Sequence, residues 1–260
     1  SDGSIVFDNV DFSYKKTGGE YVLSDINLDI KPGETIGIIG GTGSAKSSLV
    51  NLISRLYDVT DGEILYNGVN IKEYTLSSLR SSFATVFQDC KNFAISVYEN
   101  VMCHECTDGD KQKAQTALKQ AGVWKKTQSL PNGGDTVLTR EFDEDGAGLS
   151  GGENQKVSTA RLFASDYEIA ILDEPSSALD PVAEYEMYEN LIAATKGKTV
   201  IYISHRLSSA ALSDRVLVIG DGKIIESGTH EELMERKGKY CEMFTLQASA
   251  YRREGGDGNA

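Results

Sequence analysis

The stretch Thr35-Ile36-Gly37-Ile38-Ile39-Gly40-Gly41-Thr42-Gly43-Ser44-Ala45-Lys46-Ser47-Ser48 decides the fold. Its first part, Thr35 to Ile39, is aliphatic and β-branched without strict polar alternation, the pattern of a strand covered on both faces. A glycine-rich turn follows, and a helical stretch opens near Lys46. Strand, turn and helix in that order make a phosphate-binding loop. Its backbone N–H groups and the positive end of the helix dipole wrap phosphates, and the lysine reaches the β and γ groups. Gly40, Gly41, Thr42, Gly43, Ser44, Ala45, Lys46, Ser47 and Ser48 are thus candidate ATP-binding residues, with the Ser47 hydroxyl placed for Mg²⁺.

One position departs from the loop pattern, Ala45, where the pattern has glycine. Either a methyl group is tolerated there or binding suffers. If the position demands positive φ, alanine costs about 1 kcal/mol. Ala45→Gly is then expected to tighten ATP binding, and an unchanged dissociation constant would mean that the loop already fits alanine. Taken alone, the imperfect motif can also be read as a Gly-rich turn.

Three further apolar runs, Glu168 to Leu172, Thr199 to Ile203 and Arg215 to Ile219, resemble the first in pattern. Alternating with amphipathic helical stretches, they predict an α/β domain on a largely parallel sheet. Ile5 to Ile30 instead alternates like an antiparallel sheet, and Gly62 to Ile71 reads as a hairpin turning at Asn67-Gly68. From Asp89 to about Ser165 the pattern is helical, clearest over Asp110 to Ala121, and predicts an inserted helical subdomain. Thr229 and Glu232 form a T-x-x-E capping box, and the Gly-rich tail 253–260 is expected to be disordered.

A net charge of -13 repels polyanions over most of the surface, so no nucleic-acid partner is expected and any phosphate site must be local. No run approaches the roughly eighteen apolar residues of a spanning helix, and the start lacks a signal-peptide pattern, so the chain itself is expected to be soluble. Four cysteines in 260 residues make no disulfide framework and fit a reducing, cytoplasmic setting. Cys103 and Cys106 form a CxxC around His104, but no second pair accompanies it, and it is read as structural or incidental.

Ile169-Ala170-Ile171-Leu172-Asp173-Glu174 is an apolar strand ending in two carboxylates. In open α/β sheets ligands sit at the carboxyl ends of strands. There Asp173 can hold Mg²⁺, directly or through water, and Glu174 can orient and deprotonate the water attacking the γ-phosphorus.

Leu149-Ser150-Gly151-Gly152-Glu153, between these motifs and ahead of a helix, makes the sequence resemble the ABC transporter ATPases. The resemblance covers roughly Ile5 to Ala248, a domain of 1–252 with the helical part at about 89–165. It implies a P-loop NTPase (RecA-like) core with a mainly parallel sheet, an N-terminal antiparallel β subdomain and an inserted α-helical subdomain. It further implies a head-to-tail dimer with a second copy or a homologous domain. There Ser150, Gly151 and Gly152 of one chain offer donors to ATP held by the other. Tyr14 resembles the aromatic that stacks on adenine. Gln88 resembles the glutamine that touches Mg²⁺ or water and starts a flexible joint. Asp180, in Ser177-Ala178-Leu179-Asp180, lies in the segment resembling the loop that crosses the interface, and His205 resembles the γ-phosphate histidine. Glu174, His205 and Gln88 are the implied catalytic set, and Ser47, Gln88 and Asp173 the metal set. Glu153 stands where glutamine is common.

Arg55-Leu56-Tyr57-Asp58 and Ile95 to Val101 are similar to exporter-type domains, and Glu144 falls where exporters carry an acidic residue that senses the membrane domain, though an exposed acidic loop reads equally well. The implied activity is ATP hydrolysis coupled to transport, on the cytoplasmic side of a membrane and with a transmembrane domain as partner. Because the chain starts almost at its first strand, it is expected to be an excised domain with Ser1 to Ser4 as linker or cloning residues. The alternative is a soluble ABC-type ATPase without a membrane partner. DNA-acting relatives, however, interpose long coiled coils and ribosome-acting ones carry two such domains. A non-catalytic nucleotide binder is the third reading.

Overall fold

The computed structural model describes residues 3–15, 19–41, 43–86, 92–139, 146–174, 185, 187, 188, 191, 192, 195–204 and 206–254. Sequence periodicity divides the strands between two sheets. β1 (Ile5–Phe12) and β2 (Leu23–Ile30) bury alternate residues, so each offers one apolar face. They join β4 (Asp61–Tyr66) and β5 (Val69–Asn70) in an antiparallel sheet of order β2-β1-β4-β5. The β4–β5 turn falls at Asn67-Gly68 as expected, with φ of 51° and 77°, the paired left-handed conformations of a type I′ turn.

β3 (Thr35–Gly40), β7 (Ile169–Asp173) and β8 (Thr199–Ile203) are buried along their whole length. They lie inside the second sheet, ordered β10-β9-β3-β8-β7-β6, where β9 (Arg215–Gly220) through β6 (Phe83–Val86) run parallel and β10 (Lys223–Gly228) pairs antiparallel with β9. Burial on both faces explains why these strands carry no polar alternation. Two strands escaped the sequence reading. β6 is a four-residue edge strand, too short for a periodic signal. β10 closes a hairpin at Asp221-Gly222, with φ of 49° and 71°, an Asp-Gly turn signal present in the sequence.

α1 (Lys46–Ile53) follows β3 and packs its Leu49, Val50 and Leu52 into the core between the two sheets, with Ile5, Phe7, Ile36 and Ile171. α2 (Leu76–Ser81) precedes β6. α3 (Val97–Met102), α4 (Asp108–Gln120), α5 (Trp124–Gln128) and α6 (Gly151–Ala164) build a separate apolar cluster from Val97, Val101, Ala114, Leu118, Val157 and Ala160. Ser96 with Glu99 and Thr107 with Asp110 close capping boxes that fix the starts of α3 and α4. Cys103 ends α3 in a left-handed conformation, φ 60°, and its thiol meets the Asn100 carbonyl at 3.8 Å. α6 spans the two cores, because Leu162 in its last turn packs beneath β6, β7 and β8 with Val86, Leu172 and Tyr202.

α7 (Leu207–Ala210) follows β8, and the expected capping box of Thr229 and Glu232 opens α8 (His230–Arg236). α9 (Lys239–Glu254) ends the described chain. Among the described residues no helix is long and apolar enough to cross a membrane.

Candidate functional site

The glycine-rich turn stands where β3 ends between β8 and β9. Gly40 is required by a close approach: a Cβ there would run into the Ile219 carbonyl oxygen and lie 2.6 Å from Ser44 Oγ. Gly43 takes φ 77° and Ala45 φ 67°, so the position that departs from the loop pattern is left-handed. Alanine carries there the steric cost, about 1 kcal/mol, that glycine avoids. The Ala45 methyl packs against the main core, and its carbonyl accepts from the Ser48 amide at 3.1 Å.

Lys46 opens α1 with only 5% of its surface exposed. Its Nζ donates to the Gly40 and Gly41 carbonyls, both at 3.0 Å, and reaches Ser44 Oγ at 3.5 Å. Burial pushes its pKa below the ordinary lysine value, while the Glu174 and Asp173 carboxylates pull it back up. The loop therefore curls around its own ammonium group, and the acceptors holding it are neutral carbonyls. An anionic phosphate oxygen is a stronger acceptor for the same donor.

Two of the sequence-predicted metal residues meet. Ser47 Oγ donates to Asp173 Oδ1 at 3.3 Å, although 126 positions separate them. Asp173 is the last residue of β7, paired with Ile203 on β8, and is 6% exposed. Hydroxyl and carboxylate oxygens together suit a hard divalent cation. Among the described residues no group of three or more His, Cys, Asp or Glu side chains could hold a metal. A cation at Ser47 and Asp173 would need further ligands, of the kind that water and phosphate supply to Mg²⁺.

Glu174 leaves the strand at φ 48°, an unfavourable conformation for a non-glycine residue, and its amide donates to the Ile203 carbonyl at 3.1 Å. Tyr14 stands on the other flank of α1, its hydroxyl 2.9 Å from Ser48 Oγ. Phe12 and Tyr57 both meet its ring edge to face, at centroid distances of 4.7 and 5.0 Å, and 47% of its surface stays exposed. A cleft of about 440 Å³ opens beside it, lined by Ser13, Tyr14, Lys15, Gly19, Glu20 and Val22.

Ser150, Gly151 and Gly152 are elsewhere. Ser150 caps α6: its Oγ accepts from the Glu153 amide at 3.3 Å and its own amide donates to Glu153 Oε2 at 2.8 Å. The Ser150 donors hold the Glu153 carboxyl below its usual range, with help from the Lys126 ammonium at 3.5 Å. Ser150 and Gly151 are exposed, and among the described residues no hydrogen bond joins Ser150, Gly151 or Gly152 to the Lys46 loop. Thr42, Gln88, Asp180, His205 and Glu144 lie outside the described residues.

The capping role of Glu153 was available in the sequence as S-x-x-E before a helical run. Asn92, Asn154 and Arg161 form a polar network behind the α6 turn that no sequence pattern announces.

A family model described as "ABC transporter" matches residues 23–177. The chain is 40% identical over 247 residues to the ATP-dependent lipid A-core flippase of Idiomarina loihiensis, covering 95% of this chain and 42% of the relative. It is also 40% identical over 245 residues to a Staphylococcus aureus protein named as a multidrug export ATP-binding/permease protein, covering 94% of this chain and 41% of that one. Among solved structures, a bacterial Atm1-family ABC exporter with ATP bound superposes with a TM-score of 0.86 at 32% identity, over 95% of this chain and 42% of that chain. The chain thus spans about two-fifths of the length of these relatives.

Proposed function

The chain belongs to the ABC transporter family, and from that premise we propose that it is the ATP-hydrolysing motor domain of an exporter, working as a head-to-tail dimer that closes on ATP and opens after hydrolysis. The observation that carries this reading is the 3.3 Å contact of Ser47 with Asp173 beside a buried Lys46, which joins the phosphate loop to the acidic end of β7.

Lys46 and the loop amides bind the β- and γ-phosphates, and Tyr14 stacks on the adenine from the rim of its cleft. Ser47 and Asp173, with Gln88, would hold Mg²⁺, which when bound would neutralise charge on the phosphates. Glu174 orients the attacking water and takes its proton, and His205 contacts the γ-phosphate. Ser150, Gly151 and Gly152 cap the γ-phosphate bound by the partner chain, while Asp180 lies at the interface between the two. The exposure of Ser150 and Gly151 on the surface of the single chain supports that role. When the γ-phosphate leaves, the bridge between the two chains is lost and they separate. Membrane helices in the remaining length of the transporter are the partner that this movement drives, from the cytoplasmic side.

Glu174→Gln is expected to lower phosphate release by about a thousandfold while retaining Mg-ATP. It should also trap a dimer visible by size-exclusion chromatography. A trapped complex that stays monomeric at high concentration overturns the head-to-tail arrangement, and undiminished turnover overturns Glu174 as the base.

A further inference from the structure

α7 begins without a cap of its own. Arg206, the residue before it, is extended, with φ -101° and ψ 118°, and its side chain makes no capping hydrogen bond. Leu207, which opens the helix, is only 2% exposed, so its amide needs a partner from within the protein. That partner stands 40 positions away: Gln247 Oε1, on α9, accepts from the Leu207 amide at 2.7 Å. The preceding residues are held as closely. The Ser204 amide donates at 3.3 Å to the carbonyl of Ile38, on the strand that leads into the phosphate loop. Ser204 Oγ accepts from the Arg206 amide at 2.9 Å and donates to the Arg206 carbonyl at 3.1 Å, and the Tyr202 hydroxyl donates to the Ser209 carbonyl within α7. The described residues on either side of position 205 are thus fixed by β3 and β8 before it and by α9 after it.

Gln247 meets that amide only if α9 sits at one height along its axis, and the first turn of α9 sets that height. Glu226, on β10, accepts from the Lys239 amide through Oε1 and from the Tyr240 amide through Oε2, both at 2.8 Å. A carboxylate from a neighbouring strand thus caps this helix start. Tyr240 is fully buried against Ile39, Leu207, Val216 and Val218, and its hydroxyl lies 2.7 Å from His230 Nδ1. Gln247 follows seven positions later, about two helical turns, and so faces the same way.

We infer that Gln247 is a positioning residue for hydrolysis: its acceptor oxygen fixes the backbone two positions after His205, and with it the place from which His205 works. The inference rests on the functional reading above, in which His205 contacts the γ-phosphate. A group that must meet the γ-phosphate loses rate when the backbone carrying it drifts, whereas ATP is still held by Lys46 and its loop. Loss of the acceptor should therefore fall on kcat and spare KM.

The test is steady-state ATP hydrolysis by the full chain for the wild type, Gln247→Met, Gln247→Ala and Gln247→Glu. Methionine keeps the length of the side chain without its oxygen, and alanine removes both. Each should lower kcat about tenfold and leave KM for ATP within about twofold of the wild type. Glutamate restores an acceptor oxygen at the same reach, so its kcat should return to within about twofold of the wild type. In a His205→Ala background, with residual turnover read from radiolabelled phosphate, Gln247→Met should cost nothing further. Unchanged kcat in either variant without the oxygen, glutamate no better than methionine, or an additive loss in the double variant overturns the inference. A wild-type chain that does not hydrolyse ATP, or a His205→Ala variant at full rate, overturns the functional reading instead.

Discussion

The Lys46 loop and the Ser150 turn both present a helix N-terminus after glycines, yet one is enclosed and the other displayed. Around Lys46 the chain satisfies itself from far-separated elements: β3 supplies the turn, β9 forces Gly40, and β7 brings Asp173 to Ser47. Around Ser150 the hydrogen bonds among the described residues are local, made within the first turn of α6 or to Asn154 beside it. The Ser150 turn is an exposed helix start held by its own capping box. The difference teaches that of these two helix N-termini only the first is assembled from elements far apart in the sequence.

That contrast breaks most sharply at the turn itself. Ser150→Arg should lower ATP turnover by about a hundredfold through loss of donors to the partner's phosphate. Nucleotide affinity of the single chain, measured by equilibrium binding, should be unchanged. A parallel loss of affinity would mean that Ser150 serves its own chain's nucleotide.

A smaller effect is expected one turn further. Glu153→Ala removes half of the capping box and should cost about 1 kcal/mol in chemical denaturation, whereas Glu153→Gln keeps the cap and should cost far less. The Glu153 carboxylate also shows itself by pH. Because the folded state lowers the Glu153 pKa from its ordinary 4.5, the stabilisation is fully present above that value and is lost as pH falls through the lower folded value. The stability difference between wild type and Glu153→Gln should therefore shrink below about pH 4.5, and a constant difference would remove the carboxylate from the cap.

The smallest effect belongs to the enclosed half-site. Ala45 holds φ 67° in the folded loop, so its steric cost is expected to fall on the fold itself. Relief by Ala45→Gly should appear as folding stability and not as tighter binding. Part of it is offset by the greater freedom of glycine in the unfolded chain, leaving about 0.5 kcal/mol, or a rise of about 1–2 °C in Tm. Tighter ATP binding with unchanged Tm would show instead that the loop moves into its strained form only on binding.

Much of this architecture was legible from residues alone. The unbroken aliphatic runs of β3, β7, β8 and β9 announce strands buried on two faces, and Asn67-Gly68 announces its turn, because local sterics and burial act through neighbouring residues. β6 was not legible, since four residues at a sheet edge carry too little periodicity. Ala45 showed itself as a departure from a pattern, but only the backbone revealed that the position is left-handed.

The sequence by itself determined the order of strands, turns and caps, and the residue types on offer at each motif, because these depend on side-chain chemistry within a few positions. Tertiary structure alone decided that Ser47 meets Asp173, that Lys46 is sheathed by its own loop, and that Asn92 reaches Asn154 behind the Ser150 turn. The first and last of these join elements scores of residues apart. They depend on which strands lie side by side in the sheet and how α6 bridges two cores, and no local pattern encodes either.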